Sequence, residues 1–276
     1  MWEPVGKSVT LGFSFAEIQM KFRWAPIVAA PWLMATAASP PNIKEQARED
    51  RLIVSAYGDC LVKKRPQEAA EAVLGTEPRG QIMKIYHDLS DSDCLNRAAW
   101  KAGGAGGVIQ MGMPGEVLHY ALAEALIRRE YSTGLPADIS LAAPLHQLRV
   151  TSISLVPKPG EKVSEEKLEK VKEANDRAAG FEGMAAFGEC VARQSPSNSL
   201  QLILTKPASA QEDQQFSKLG HTFAECLPAG ETLALDRSAV RGTIAMNLYQ
   251  LAKAPRITST PAAAQLSTGA ALQPPK

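Results

Sequence analysis

Asp59 and Glu189 are the residues of this chain best suited to paired acid chemistry, because each stands in the same short setting. Ala56-Tyr57-Gly58-Asp59-Cys60 returns as Ala186-Phe187-Gly188-Glu189-Cys190, and each is followed by a proline, Pro66 and Pro196. A carboxylate supplied by each of two matching segments is the pattern in which two acids share catalytic work, their environments separating their roles. His87 is the third candidate for such a site. It begins the run His87-Asp88 with Asp91 and Asp93 behind it, residue types that also ligate metals. The acids do not follow the calcium-loop spacing, however, and the second segment lacks them. The competing reading of all three is architectural: an acid beside a helical cysteine faces solvent or bonds a neighbouring element, and the His87 run caps a helix.

Other chemistry fares less well. His119, His146 and His221 form no His-x-x-x-His or His-Glu-x-x-His pair. The glycine-rich run from Ala102 to Gly107 lacks both phosphate-loop orders. Ser164-Glu165-Glu166-Lys167 matches Ser-x-x-Lys by letters, but its partner motifs are missing, and no Gly-x-Ser-x-Gly elbow occurs. Trp100, Tyr86 and Tyr249 have the residue types of a ligand cleft, but an aromatic in a helical protein is more often core. No metal and no cofactor is expected. The formal charge is +1, and the basic groups Lys63-Lys64-Arg65 and Arg128-Arg129 are short, so nucleic acid is not an expected partner.

The repeat also places the four cysteines. Cys94-Leu95 follows the first motif and Cys226-Leu227 the second, at offsets of 130 residues between the first cysteines and 132 between the second. A unit that folded before it was duplicated would have closed its own bridge, which selects Cys60 with Cys94 and Cys190 with Cys226 from the three possible pairings. Paired cysteines imply an oxidising compartment. The match resumes where residues 117–127 lie over 239–249 at an offset of 122, sharing Ala123/Ala245 and Leu126/Leu248.

The elements that must position these residues read as helices. Val171, Ala174, Ala178, Phe181 and Ala185 recur at helical spacing behind a capped acidic start at Ser164. The equivalent first-copy helix runs from Ile43 to Lys64. After each proline comes a short helix (66–74 and 196–204), then a third leading to the second cysteine, a short extended run (108–113 and 232–235) and a final helix. Gly58 and Gly188 fall mid-helix, where glycine costs about 1 kcal/mol against alanine. Close approach by another element would offset that cost, with the nearby cysteine as one reason for it.

The expected fold is therefore mainly α: two tandem, related helical domains, each with a short extended segment and one intradomain disulfide. The first covers 43–131 and the second 162–254, with a linker over 132–161 that includes a β-rich stretch at 149–156. Residues 20–37 read as a secretory signal peptide: a basic start at Met20-Lys21-Phe22-Arg23, an apolar run, and Ala35-Thr36-Ala37 for cleavage. Residues 1–19 then read as a non-native extension. Residues 255–276, rich in Pro, Ala, Ser and Thr, read as a disordered tail. No transmembrane anchor is expected after cleavage.

With its exported start, its aromatic-Gly-acid-Cys motif and its Cys-Leu pairs, the chain resembles uncharacterised secreted or periplasmic proteins of Gram-negative bacteria. The resemblance is strongest in Phe187-Gly188-Glu189-Cys190-Val191 and over 226–251. The first copy departs from it with His119-Tyr120 where the second has Arg241-Gly242. It implies a periplasmic or secreted setting and carries no activity. The function expected is a non-enzymatic binding or interaction module of the cell envelope, with a protein or small ligand as partner. The rival is an exported hydrolase with its site between the repeats.

Overall fold

The computed structural model describes residues 43–75, 82–102, 115–145, 163–227 and 236–255. The expected signal peptide, the extended runs, the β-rich stretch, the glycine-rich run beyond Ala102 and the tail beyond Pro255 lie outside them. Every long element described is a helix, in the order α1 (Ile43–Lys64), α2 (Pro66–Leu74), α3 (Ile82–Ile85), α4 (Ser92–Lys101), α5 (Gly115–Glu130), α6 (Glu165–Gln194), α7 (Pro196–Leu204), α8 (Ala210–Cys226) and α9 (Arg237–Lys253). Short 3-10 turns cover His87–Leu89 and Ile139–Leu141.

Local chemistry sets these boundaries. Pro66 and Pro196 occupy first helical positions, where the missing N–H is not needed and the fixed φ suits a helix. Asp91, Ser164, Ser209 and Asp236 each cap a helix by accepting a backbone N–H with the side chain. No helix among the described residues is long and apolar enough to cross a membrane.

α5 and α9 form the centre of the molecule. Every residue from Val117 to Ile127 of α5 is buried, as is every residue from Val240 to Tyr249 of α9. Helices buried on all sides must be surrounded by other elements. They pack on each other, α1 and α2 lie on α5, and α6 and α7 lie on α9. α4 packs on α1, and α8 on α6 and α7. The apolar core is continuous across both halves, running from Leu61, Val73 and Leu118 through Leu126 to Ile203, Ile244 and Leu248.

The mid-helix glycines mark where helices cross. A methyl group at Gly58 would lie 2.5 Å from the backbone oxygen of Ala121 on α5, and one at Gly188 would lie 2.6 to 2.9 Å from Asn247 and Thr243 on α9. Gly242 is pressed against the ring and Cβ of Tyr120. A neighbouring helix therefore explains these glycines, rather than the adjacent cysteines. Gly183 and Gly220 face open space, which predicts opposite outcomes. Gly58→Ala or Gly242→Ala should destabilise by about 1–3 kcal/mol through overpacking, whereas Gly183→Ala and Gly220→Ala should each stabilise by about 0.5–1 kcal/mol. Urea midpoints of the four variants check both signs.

The bridges are Cys60–Cys94 and Cys190–Cys226, with Cα atoms 5.5 and 5.7 Å apart. Each joins the long first helix of its half to a later one, but at different ends. Cys226 ends α8, as a helix leading to the cysteine requires, whereas Cys94 sits in the first turn of α4, its N–H held by the Asp91 cap at 2.8 Å. The expectation of a third helix ending at the second cysteine is thus corrected in the first half. Asp91 caps a helix that starts at Ser92, so Cys94 opens α4 instead of closing the element before it.

Candidate functional site

The three candidate residues sit on different elements with different partners. Asp59, near the end of α1, accepts from Arg128 of α5 through Nη2 at 2.8 Å and Nε at 3.2 Å. Glu189 of α6 accepts from Arg193, one turn on, at 2.7–2.8 Å and from the backbone N–H of Leu145 at 2.9 Å. His87 is exposed in its 3-10 turn. The acids near it are structural: Asp88 pairs with Arg65 at 3.0 Å, and Asp91 caps α4 while pairing with Lys64 at 2.7 Å. The Lys64 ammonium, assisted by the Cys94 N–H, holds the Asp91 carboxyl below its usual range. Among the described residues no group of three His, Cys, Asp or Glu could hold a metal ion.

The aromatic candidates do not share a cleft. Tyr249 is fully buried and its hydroxyl donates to Glu130 at 3.2 Å, Tyr86 packs against the core, and Trp100 is 72% exposed. A shallow depression on the first turns of α6, lined by Glu165, Glu166, Leu168, Glu169, Lys170 and Glu173, contains none of the candidate residues.

The largest polar assembly is one that motif reading did not single out. Arg241, in the middle of α9 and 1% exposed, donates through Nε to Glu124 of α5 at 2.8 Å and through Nη1 to Glu212 of α8 at 3.0 Å. Its remaining N–H groups reach the carbonyls of Leu202, Ile203 and Thr205 at the end of α7, at 2.8 to 2.9 Å. Glu212 also accepts from Arg51 of α1 at 2.6 Å, and Glu124 from Arg128 at 3.1 Å. Arg128 in turn reaches Asp59 and Ser55 of α1.

The result is an alternating chain of charges, Asp59–Arg128–Glu124–Arg241–Glu212–Arg51, that leaves α1 and returns to it about two turns away along the same helix. Three acids balance three bases, so the cluster is neutral although much of it is buried. Asp59, the most tempting acid, is its terminal member. The available sequence signal was an arginine as the single charged residue of the stretch 239–249, since a buried arginine requires anions.

Burial alone would raise the Glu124 carboxyl. The guanidinium groups of Arg241 and Arg128 outweigh that effect and hold it below the ordinary glutamate range. A carboxylate with a depressed folded-state pKa stabilises the fold above its unfolded pKa, and that stability is lost as pH falls through the folded value. Urea midpoints should therefore hold from neutrality down to about pH 5 and decline below about pH 4. The decline should be shallower in a Glu124→Gln variant.

The chain matches no protein-family model, no curated protein and no solved structure in the three comparisons made.

Proposed function

We propose that this protein is an exported, disulfide-braced helical scaffold of the cell envelope whose two halves are copies of one unit, and that it acts by binding rather than by catalysis. The observation that carries the reading is the use made of its reactive-looking residues. Asp59 closes a structural charge chain, Glu189 clamps a backbone segment, and the position between the halves where a hydrolytic site would lie is occupied by apolar α5–α9 packing and by Arg241.

Several correspondences support the relation between halves. Gly58 meets Ala121 and Gly188 meets Thr243, pairs related by the same offsets of 130 and 122 that align the sequence. The His119 ring Nε2 reaches the Ala72 carbonyl at 3.0 Å and Arg241 reaches that of Leu202 at 2.8 Å, related by the same two offsets. Tyr120 and Gly242, equivalent positions in the alignment, face each other, as residues near an approximate twofold axis do.

The test is purification of the exported protein with its bridges intact, followed by native mass spectrometry and assays of ester, glycan and peptide hydrolysis. The proposal expects a stoichiometric protein or small-molecule partner and no turnover. Turnover abolished by Asp59→Asn with Glu189→Gln, in a protein that remains folded, would favour the hydrolase instead.

A further inference from the structure

Glu189 and Arg193 form a clamp on one stretch of backbone. Arg193 donates to the carbonyls of Ser140 at 3.1 Å, Ala142 at 2.9 Å and Ala143 at 2.7 Å, while Glu189 accepts the N–H of Leu145 at 2.9 Å. The clamped segment, 139–145, follows α5 and lies on α6 and α9, with Ile139 and Ala142 each 3% exposed. Its recognition is mostly of main chain and small apolar side chains. Under this strap the Glu189 side chain is only 10% exposed.

The aligned positions in the first half are Asp59 and Lys63, one turn apart on α1 beside α5. They carry the same pair of charges, but the Asp59 side chain is 55% exposed and Lys63 is exposed. Asp59 receives Arg128 on Oδ1, which leaves its second oxygen as an available acceptor for a backbone N–H. Lys63 offers an ammonium with three donors for carbonyls.

The chain also holds a second segment of the matching kind. Ala142-Ala143-Pro144-Leu145 is aligned by an offset of 121 with Ala263-Ala264-Gln265-Leu266, within one residue of the offset of 122 that relates α5 to α9. The connection lengths agree as well: Leu145 lies 14 residues after Tyr131, and Leu266 lies 13 after the equivalent Lys253. Residues 257–275 contain no Asp, Glu, Lys or Arg, which suits a site that reads backbone rather than charge. An operation that takes α5 to α9 and α6 to α1 takes 139–145 to about 260–266.

We propose that residues 261–266 of this chain dock against α1 and α5 at Asp59 and Lys63, as 139–145 does at Glu189 and Arg193. The proposal rests on the reading of the halves as copies. It assigns the terminal segment, expected from composition to be disordered, as the occupant of the exposed face at Asp59 and Lys63. Asp59 accepts the N–H of Leu266, and Lys63 donates to carbonyls within 261–264.

A photoreactive benzoylphenylalanine at Lys63, an exposed position, tests this in the full chain, using a mixture of isotopically heavy and light protein digested with trypsin. The expected product joins α1 to peptide 257–276 of the same isotope. A cross-link to the tail of a second copy overturns the proposal, and where no tail cross-link forms, the unmodified protein, which keeps the Lys63 ammonium, decides by its amide exchange. Should the probe disturb α1, deuterium uptake of the unmodified protein gives an independent reading. Amides of 262–266 should exchange at least tenfold more slowly than in the free synthetic peptide, and equal rates overturn the docking. Failure of the copy reading is recognised separately, by the innermost amides of α5 and α9 opening at distinctly different free energies in native-state hydrogen exchange, a measurement in which the tail plays no part.

Discussion

Arg241→Met is expected to lower the unfolding free energy by about 3–5 kcal/mol, the cost typical of removing one member of a buried ion pair. The loss is large because of what remains. The Glu124 carboxylate, and that of Glu212 with its fully buried side chain, keep only Arg128 and Arg51 as charged partners, while the carbonyls of Ile203 and Thr205 lose the Arg241 guanidinium as a donor. Replacing the three central charges together, Glu124→Leu with Glu212→Leu and Arg241→Met, should recover part of that loss, since buried ion clusters often exchange for apolar residues at little net cost, while Arg51 is left without its Glu212 partner. Urea unfolding of the single and triple variants measures both. A single-variant loss below about 1 kcal/mol would mean that the cluster is more hydrated than its burial indicates.

The second large effect is expected from the bridges. Each closes a loop, with sequence separations of 34 and 36 residues, and should contribute about 3–4 kcal/mol by restricting the unfolded chain. Serine at both Cys60 and Cys94, or at both Cys190 and Cys226, should lower the unfolding free energy by that amount. The entropic account predicts nearly equal losses, because the loops are nearly equal. A clear inequality would instead assign the difference to packing, which is distinct at the two sites. Cys94 is completely buried at the start of α4, whereas Cys226 is partly exposed at the end of α8.

Much of the helical architecture was legible because its signals are local. Proline at 66 and 196 set the starts of α2 and α7, the capped acidic turn at Ser164 set the start of α6, and the similar settings of the cysteines pointed to the pairing. The relation of α5 to α9 was harder to read. Leu118, Leu122 and Leu126 mark one face of α5, but its other faces are filled with small residues such as Ala121, Ala123 and Ala125, which are buried as completely as the leucines. A stripe of leucines indicates one buried face and does not reveal that the alanine side is buried too.

The charge chain was hidden for a related reason. Its ties between different helices span 29 to 161 residues of sequence, so no window contains it. Asp59 stands out by its motif, but its partner Arg128 reads only as part of a basic helix end. The strap at 139–145 was obscured by Pro136 and Pro144, which mark it as a linker. Its affinity for α6 lies in main-chain groups, and these are the same for every sequence.

On the reading proposed above, two copies of a helical unit are fused into one cooperative scaffold around α5 and α9. Native-state hydrogen exchange of the oxidised protein across a urea series tests it most directly. The prediction is that the innermost amides of both helices, around Leu122 and Ile244, exchange through the same global opening, with equal free energies and equal urea dependence. If the amides of one half opened at a distinctly lower free energy while the other half stayed protected, the halves would be independent domains and the account would be wrong.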